Sequence, residues 1–406
     1  MILIYKRIFI KIITLCMIIF SLLSVALSTA YAEEVDESNT DQENAIIENL
    51  SGTDPVKKME DQLNKYSEQG IKEIIPEFDP QKIMGDAAKG KFEFSFTGLV
   101  NSLLSFLFKE IYVNIGLLIK LVVIVVFCAI LRNLQSSFLS ESVGEIAFYA
   151  CYIVIVAIMM ISLDTVLSMG REIIDNLVNF MHATIPVLIT LLISGGNLTS
   201  AGVFQPILIM IVEFSATIIK NVFMPLITLS IIVSIVDNIS DKIQISRLAQ
   251  FFKQISLWGL GLMLTIFVGI LAVQGSLGAV VDGITSKTAK FAIGAFIPVA
   301  GKYLADAADA VIGCTLLIKN AAGIAAMIGI LGICIVPLLK IFALIALYRI
   351  TCILVEPIAD KRITNCISDM ATALTFILGI AASVALMFLI SITAIIGASN
   401  ISSMMR

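Results

Sequence analysis

Charge is divided so unevenly along this chain that most of it has to live in lipid. Of the 58 charged residues, 25 fall in the first 91 positions, and 33 are spread over the remaining 315. A length of 406 residues would ordinarily suggest two or three soluble domains, but a hydrophobic content of 58% overrides that expectation. The core of such a chain is the bilayer interior, so the fold class it implies is all-α.

The first 32 residues form a unit with its own logic. Lys6, Arg7 and Lys11 precede an apolar run from Ile12 to Leu27, and the run is followed by Ala30-Tyr31-Ala32. A basic front end, an apolar stretch short for a stable span and an Ala-x-Ala site describe a cleavable signal peptide over residues 1–32; the alternative is an uncleaved anchor. Residues 33–91 then carry 15 acidic and 7 basic side chains with few large apolar ones, too few to build a core. This acidic segment is expected outside the cytoplasm, where the orienting rule wants few Lys and Arg. Within it Asp54, Pro55, Val56, Met59, Leu63, Tyr66 and Gly70 have the spacing and end signals of one short amphipathic helix. That helix suits either docking in a partner's groove or a solvated spacer.

Residues 92–110 place Phe96, Leu99, Val100, Leu103 and Leu107 on one helical face, the pattern of an interfacial helix feeding a first span. Residues 111–406 form the membrane domain, with apolar runs at Ile111 to Leu131, Ile146 to Leu163, Asn176 to Ile193, Val203 to Val236, Leu257 to Val281, Ala321 to Val355 and Ala371 to Ala398. Each is long enough to cross about 30 Å of hydrocarbon. Two are longer than one crossing needs and are interrupted, one by Glu213, Lys220 and Pro225, the other by Pro337, Lys340 and Arg349. Those two are expected to fold back. The result is a polytopic helical membrane protein with about six to nine crossings, some broken or re-entrant. Lys242, Arg247 and Lys253 in one loop, with Lys361 and Arg362 in another, mark both loops as cytosolic.

Isolated charges inside these runs carry the functional content. Glu213 and Lys220 share one face of the fourth run but stand about 10 Å apart along the axis, too far to pair directly. They can be answered across helices, or Lys220, like Lys120 in the first run, can snorkel to a surface. The stretch FIPVAGKYLADAADAVIGCTLLIKNAAG, from Phe296 to Gly323, sets Lys302, Asp306, Asp309, Lys319 and Asn320 among residues otherwise fit for lipid. On a helix, Lys302, Asp306, Asp309 and Gly313 share a face flanked by alanines, with Pro298 and Gly301 breaking any preceding helix. Each charge at mid-bilayer costs about 2.5–3.5 kcal/mol on insertion scales, so these groups face protein or water. Two readings follow: a broken or re-entrant helix lining an aqueous path or gripping a subunit, or a short extracytoplasmic loop.

That string, with the exported leader, acidic segment and multi-span body around it, resembles the stage III sporulation protein AE family of endospore-forming bacteria. The resemblance covers essentially the whole chain, and its specific part is IPVAGK…DAADAVIGCTLLIKNAAG. It implies a polytopic protein of the mother-cell membrane around the engulfed forespore. There it would belong to an assembly related in part to specialised secretion systems, which bridges the two membranes and keeps the forespore developing. The partners implied are other membrane subunits of that assembly and a separate ATPase subunit. No catalytic residues come with the family, so Lys302, Asp306, Asp309, Lys319 and Asn320 carry over only as members of its signature string.

Enzyme readings do poorly against the residue inventory. His182 is the only histidine, and it sits in an apolar segment four residues before Pro186, where it is expected to be a packed, hydrogen-bonded helix residue. The seven cysteines contain no C-x-x-C pair and none falls in residues 33–91, which favours buried free thiols. The Gly259-Leu260-Gly261 step lacks the third Gly or Lys of a phosphate loop. No cofactor, metal or nucleic-acid partner is expected. Small residues at Gly323, Ala326, Gly329 and Gly332, and at Gly379, Ala382 and Ala385, suit either a subunit interface or packing within the chain. Three functions remain: a non-enzymatic subunit of a trans-envelope channel, a stand-alone secondary transporter with a site at broken helices, or a membrane enzyme using Asp306 and Asp309.

Overall fold

A computed structural model describes Asp61 and residues 96–138, 141–239, 245–296 and 301–404. The expected signal peptide and, Asp61 aside, the acidic segment lie outside the described residues. Among those described, the chain is helical throughout: α1 (Phe96–Val113), α2 (Ile115–Phe138), α3 (Glu141–Ser194), α4 (Leu198–Ile218), a π-helical turn (Ile219–Phe223), α5 (Met224–Asp237), α6 (Ser246–Phe296), α7 (Gly301–Val355) and α8 (Lys361–Met404). Six stretches are long and apolar enough to cross a membrane, on α2, α3, the α4–α5 pair, α6, α7 and α8. Apolar side chains in lipid leave the backbone no solvent partner, and helices satisfy every N–H and C=O within the segment.

The two runs expected to fold back do not. Residues 198–237 form one rod in which the π-helical turn Ile219–Phe223 absorbs Pro225. A proline removes one intrahelical donor and crowds the carbonyl a turn earlier; widening that turn relieves the crowding, and the Met224 N–H reaches back to the Ile219 carbonyl. Pro337 lies inside an unbroken α7. The runs Ile146 to Leu163 and Asn176 to Ile193 likewise belong to a single helix, α3, whose 54 residues extend about 81 Å.

α8 is the central post. It touches α3, α4, α5, α6 and α7, and 61% of its spanning window is buried against 22% for α2, which lies at the periphery. Around it the long helices run up and down. One end of the bundle is polar: Lys253 lies 3.8 Å from Asp369, Asn238 donates to the same carboxylate at 3.3 Å, and Arg132 pairs with Asp360. The two basic loops singled out from sequence thus meet at one end. Just inside it, the Tyr152 hydroxyl donates to the Ile235 carbonyl at 2.8 Å, tying α3 to α5.

The opposite end holds the α3–α4 turn. Gly196 adopts φ 78°, a left-handed conformation that glycine enters without strain, and the Asn197 N–H returns to the Leu192 carbonyl at 3.1 Å. Carbonyls left open at the end of α3 are closed this way.

Close packing of α7 on α8 follows from the small residues. A Cβ placed on Gly323 would come 2.4 Å from Ile396 Cδ1, so the two helices approach because that side chain is absent. Gly323 and the buried Ala326 therefore serve packing within the chain, whereas Gly379 meets nothing within 4 Å. Gly323→Leu is expected to lower the Tm in detergent by an amount corresponding to about 1–3 kcal/mol, as overpacking does. Adding Ile396→Ala is expected to recover most of the loss, and thermal unfolding of the single and double variants checks both.

Candidate functional site

Polar side chains cluster in three places along the bundle. The first is a pair of cross-links from α3, one to α4 and one to the π-helical turn that continues it. Lys220 Nζ donates to Asp175 Oδ1 at 2.5 Å, and His182 Nε2 shares a hydrogen bond with Glu213 Oε2 at 3.0 Å. Because α3 and α4 are antiparallel, residues 175 and 182 on one helix face 220 and 213 on the other, each set seven apart. Seven residues are about two turns, which places each pair on one stripe about 10 Å long. Glu213 and Lys220 thus do not answer one another; each is answered by α3.

Both cross-links sit on the outer face of the chain. Side-chain exposure is 41% and 60% for His182 and Glu213, and 32% and 51% for Lys220 and Asp175. His182 is hydrogen-bonded, as expected, but it is not packed inside. The equal seven-residue spacing of Asp175–His182 and Glu213–Lys220 was visible in the sequence, but the pairing needed the antiparallel register.

The second cluster is the α7–α8 joint. Lys319 is fully buried and its Nζ donates to the Ile396 carbonyl at 3.0 Å, with the adjacent Asn320 6% exposed. An ammonium there is removed from water entirely, so its bonds to protein have to replace hydration. The string from Gly301 to Gly323 is the first part of an unbroken helix, neither re-entrant nor a loop. Lys302, Asp306 and Asp309 lie on its first turns; their side chains are outside the described residues. Of the seven residues singled out from sequence, the structure brings Lys319 and Asn320 together in the interior and Glu213 and Lys220 together on an outer stripe.

The third cluster was not foreseen. Asp282 of α6, 2% exposed, accepts hydrogen bonds from the backbone N–H of Thr199 and of Ser200, both at 2.8 Å. Asn197 makes no side-chain cap at the start of α4, so a carboxylate from another helix serves the open donors and the positive end of the helix dipole. Nearby, α4 and α6 border an open cleft of about 660 Å³ lined by Thr199, Val203, Ile270 and Gln274. The Gln274 carboxamide is buried, with neither polar atom hydrogen-bonded among the described residues. In the sequence Asp282 marked only the end of an apolar run; its partners are some eighty positions away.

Among the described residues no group of three or more His, Cys, Asp or Glu is placed to hold a metal. The six described cysteines are free thiols.

The sequence pattern of the stage III sporulation protein AE family matches residues 78–399, which takes in every helix described here except the last turn of α8. The chain belongs to that family. It is also 34% identical over 333 residues to the stage III sporulation protein AE of Bacillus subtilis strain 168, covering 82% of this chain and 83% of that protein. No solved structure matches it. The family places the protein in sporulation, and the six long apolar helical stretches among its described residues make it a membrane protein.

The outer cross-links are open to a direct test. Asp175→Lys and Lys220→Asp are each expected to lower the Tm in detergent by setting like charges side by side. The exchange of both is expected to restore it, with a coupling energy of about 0.5–1 kcal/mol after allowance for partial solvation. A double-mutant cycle of thermal unfolding measures that coupling.

Proposed function

We propose that this protein is a non-enzymatic integral subunit of a sporulation-specific channel or secretion-like complex, set in the mother-cell membrane around the forespore and needed for forespore development. The observation that carries the reading is the charged α3–α4 stripe on the outside of the chain. A protein working alone in lipid keeps its ionised groups inside; one that shows them on its outer face has something other than acyl chains against it. Family membership supplies the developmental setting.

The basic end of the bundle, with Arg132, Lys253 and Arg362, is assigned to the mother-cell cytosol by the positive-inside rule, and residues 33–91 to the opposite side. In this reading a separate ATPase subunit supplies the energy, since this sequence carries no phosphate-binding loop of its own. In this reading Asp306 and Asp309, on the first turns of α7, serve as a contact for a neighbouring subunit and not as the carboxylate pair of an enzyme.

Affinity purification from sporulating cells is expected to bring down other membrane proteins and an ATPase, and the purified chain alone to move no solute. Transport by the chain alone would favour a stand-alone permease, with the α4–α6 cleft as its site. The double variant Asp306→Asn/Asp309→Asn is expected to insert normally but fail to assemble, cutting spore yield by orders of magnitude. Wild-type spore counts from that variant would remove Asp306 and Asp309 from the assembly surface.

A further inference from the structure

The α3–α4 cross-links are the visible part of a longer polar stripe. On α3, Asp164, Ser168, Arg171, Asp175, Asn179 and His182 follow one another at intervals of three or four residues, and all are exposed. That spacing puts them on one helix face. Glu172 adjoins the stripe on α3, and Glu213 of α4 and Lys220 of the π-helical turn extend it onto the neighbouring rod. Asp164, Arg171 and Glu172 have no ion-pair partner among the described residues.

What lies along the same helices above and below differs from the simple picture of a stripe that marks where one apolar span ends in water. Towards the basic end, Ile153, Val154 and Ile161 of α3 are exposed; towards the other end, Ile193 of α3 and Leu198 of α4 are exposed. The stripe runs from residue 164 to 182, about 27 Å on a helix, with apolar surface continuing at both ends. No single water boundary divides apolar, charged and again apolar surface on one helix. At membrane depth lipid in turn does not accept such a stripe, because ionised groups exposed to acyl chains lose their hydration with nothing to replace it. On α6 the corresponding outer face stays apolar through Leu262, Ile266, Ile270 and Val273, so the polar surface is confined to one side of the bundle.

We infer that this stripe lies at membrane depth and is one wall of a narrow water-filled passage. The inference deepens the channel reading above and rests on it, since other subunits have to close the passage. Charged side chains within the membrane are stable where they line an aqueous cavity, and the pairs Asp175–Lys220 and His182–Glu213 keep their geometry while leaving ample surface for water. Four acids, Asp164, Glu172, Asp175 and Glu213, stand against two bases, Arg171 and Lys220. Such a wall favours neutral and cationic hydrophilic solutes over anions.

The test is thiol labelling in membranes from sporulating cells, using the whole complex. Ser168→Cys and Asn179→Cys are placed on the stripe, and Ile153→Cys and Leu262→Cys on apolar surface; the described native cysteines, five buried and Cys352 partly so, give little background. Small charged methanethiosulfonates are expected to modify both stripe positions and neither control. The cationic reagent is expected to react roughly tenfold faster than the anionic one, each rate normalised to a free thiol. A maleimide carrying a long polyethylene glycol chain is expected to fail at the stripe, because a passage excludes by size. Unreactive stripe cysteines would mean that protein covers the face, and equal reaction with the large maleimide would mean bulk water; either overturns the passage. Co-purification is measured on the same membranes, so an unlabelled stripe in an intact complex defeats the passage alone, whereas loss of the partners defeats the channel reading itself.

Discussion

In hydrocarbon a polar group has no solvent to fall back on, and that constraint shapes every irregularity of this structure. The helices meet it for the backbone. Where helices end or bend, particular residues meet it: Gly196 lets the Asn197 N–H close the end of α3, Asp282 reaches across from α6 to the open amides of α4, and the π-helical turn before Pro225 keeps Met224 bonded. Lys319 meets it in the interior by donating to a carbonyl of α8. Each is a local answer to the same energetic demand, and together they hold rods of 40 residues or more in register.

The outer α3–α4 stripe is where a lone chain leaves that demand unanswered. Ionised groups collected on an outer face are informative, because natural proteins break a local rule mainly where function requires it. A subunit whose charges are completed by an assembly is consistent with membership of a sporulation family and with an exterior otherwise suited to lipid.

Helix length adds a second consideration. α3, α6 and α7 each exceed 50 residues, about 75 Å, more than twice the thickness of the hydrocarbon layer. Charge at intermediate points, as at Asp175 on α3 and Lys319 on α7, divides these rods into shorter apolar lengths. That explains why hydropathy along the sequence suggested separate spans where the structure has one continuous helix: a polar interval reads as a loop when only composition is seen, yet a helix carries it without interruption if another helix supplies the partner.

Composition and patterning alone determined that this is a helical membrane protein, because the apolar content and the scarcity of charge after residue 91 admit no other solvent. The family was legible only by resemblance, through the string IPVAGK…DAADAVIGCTLLIKNAAG, and the match over residues 78–399 bears it out. Tertiary structure alone decided what the polar residues touch. Lys319 turned inward onto Ile396, Glu213 and Lys220 turned outward onto His182 and Asp175, and Asp282 became the cap of a helix some eighty positions away. Hydropathy is a property of each residue, legible one position at a time; pairing is a property of the register between helices, which exists only once they have packed.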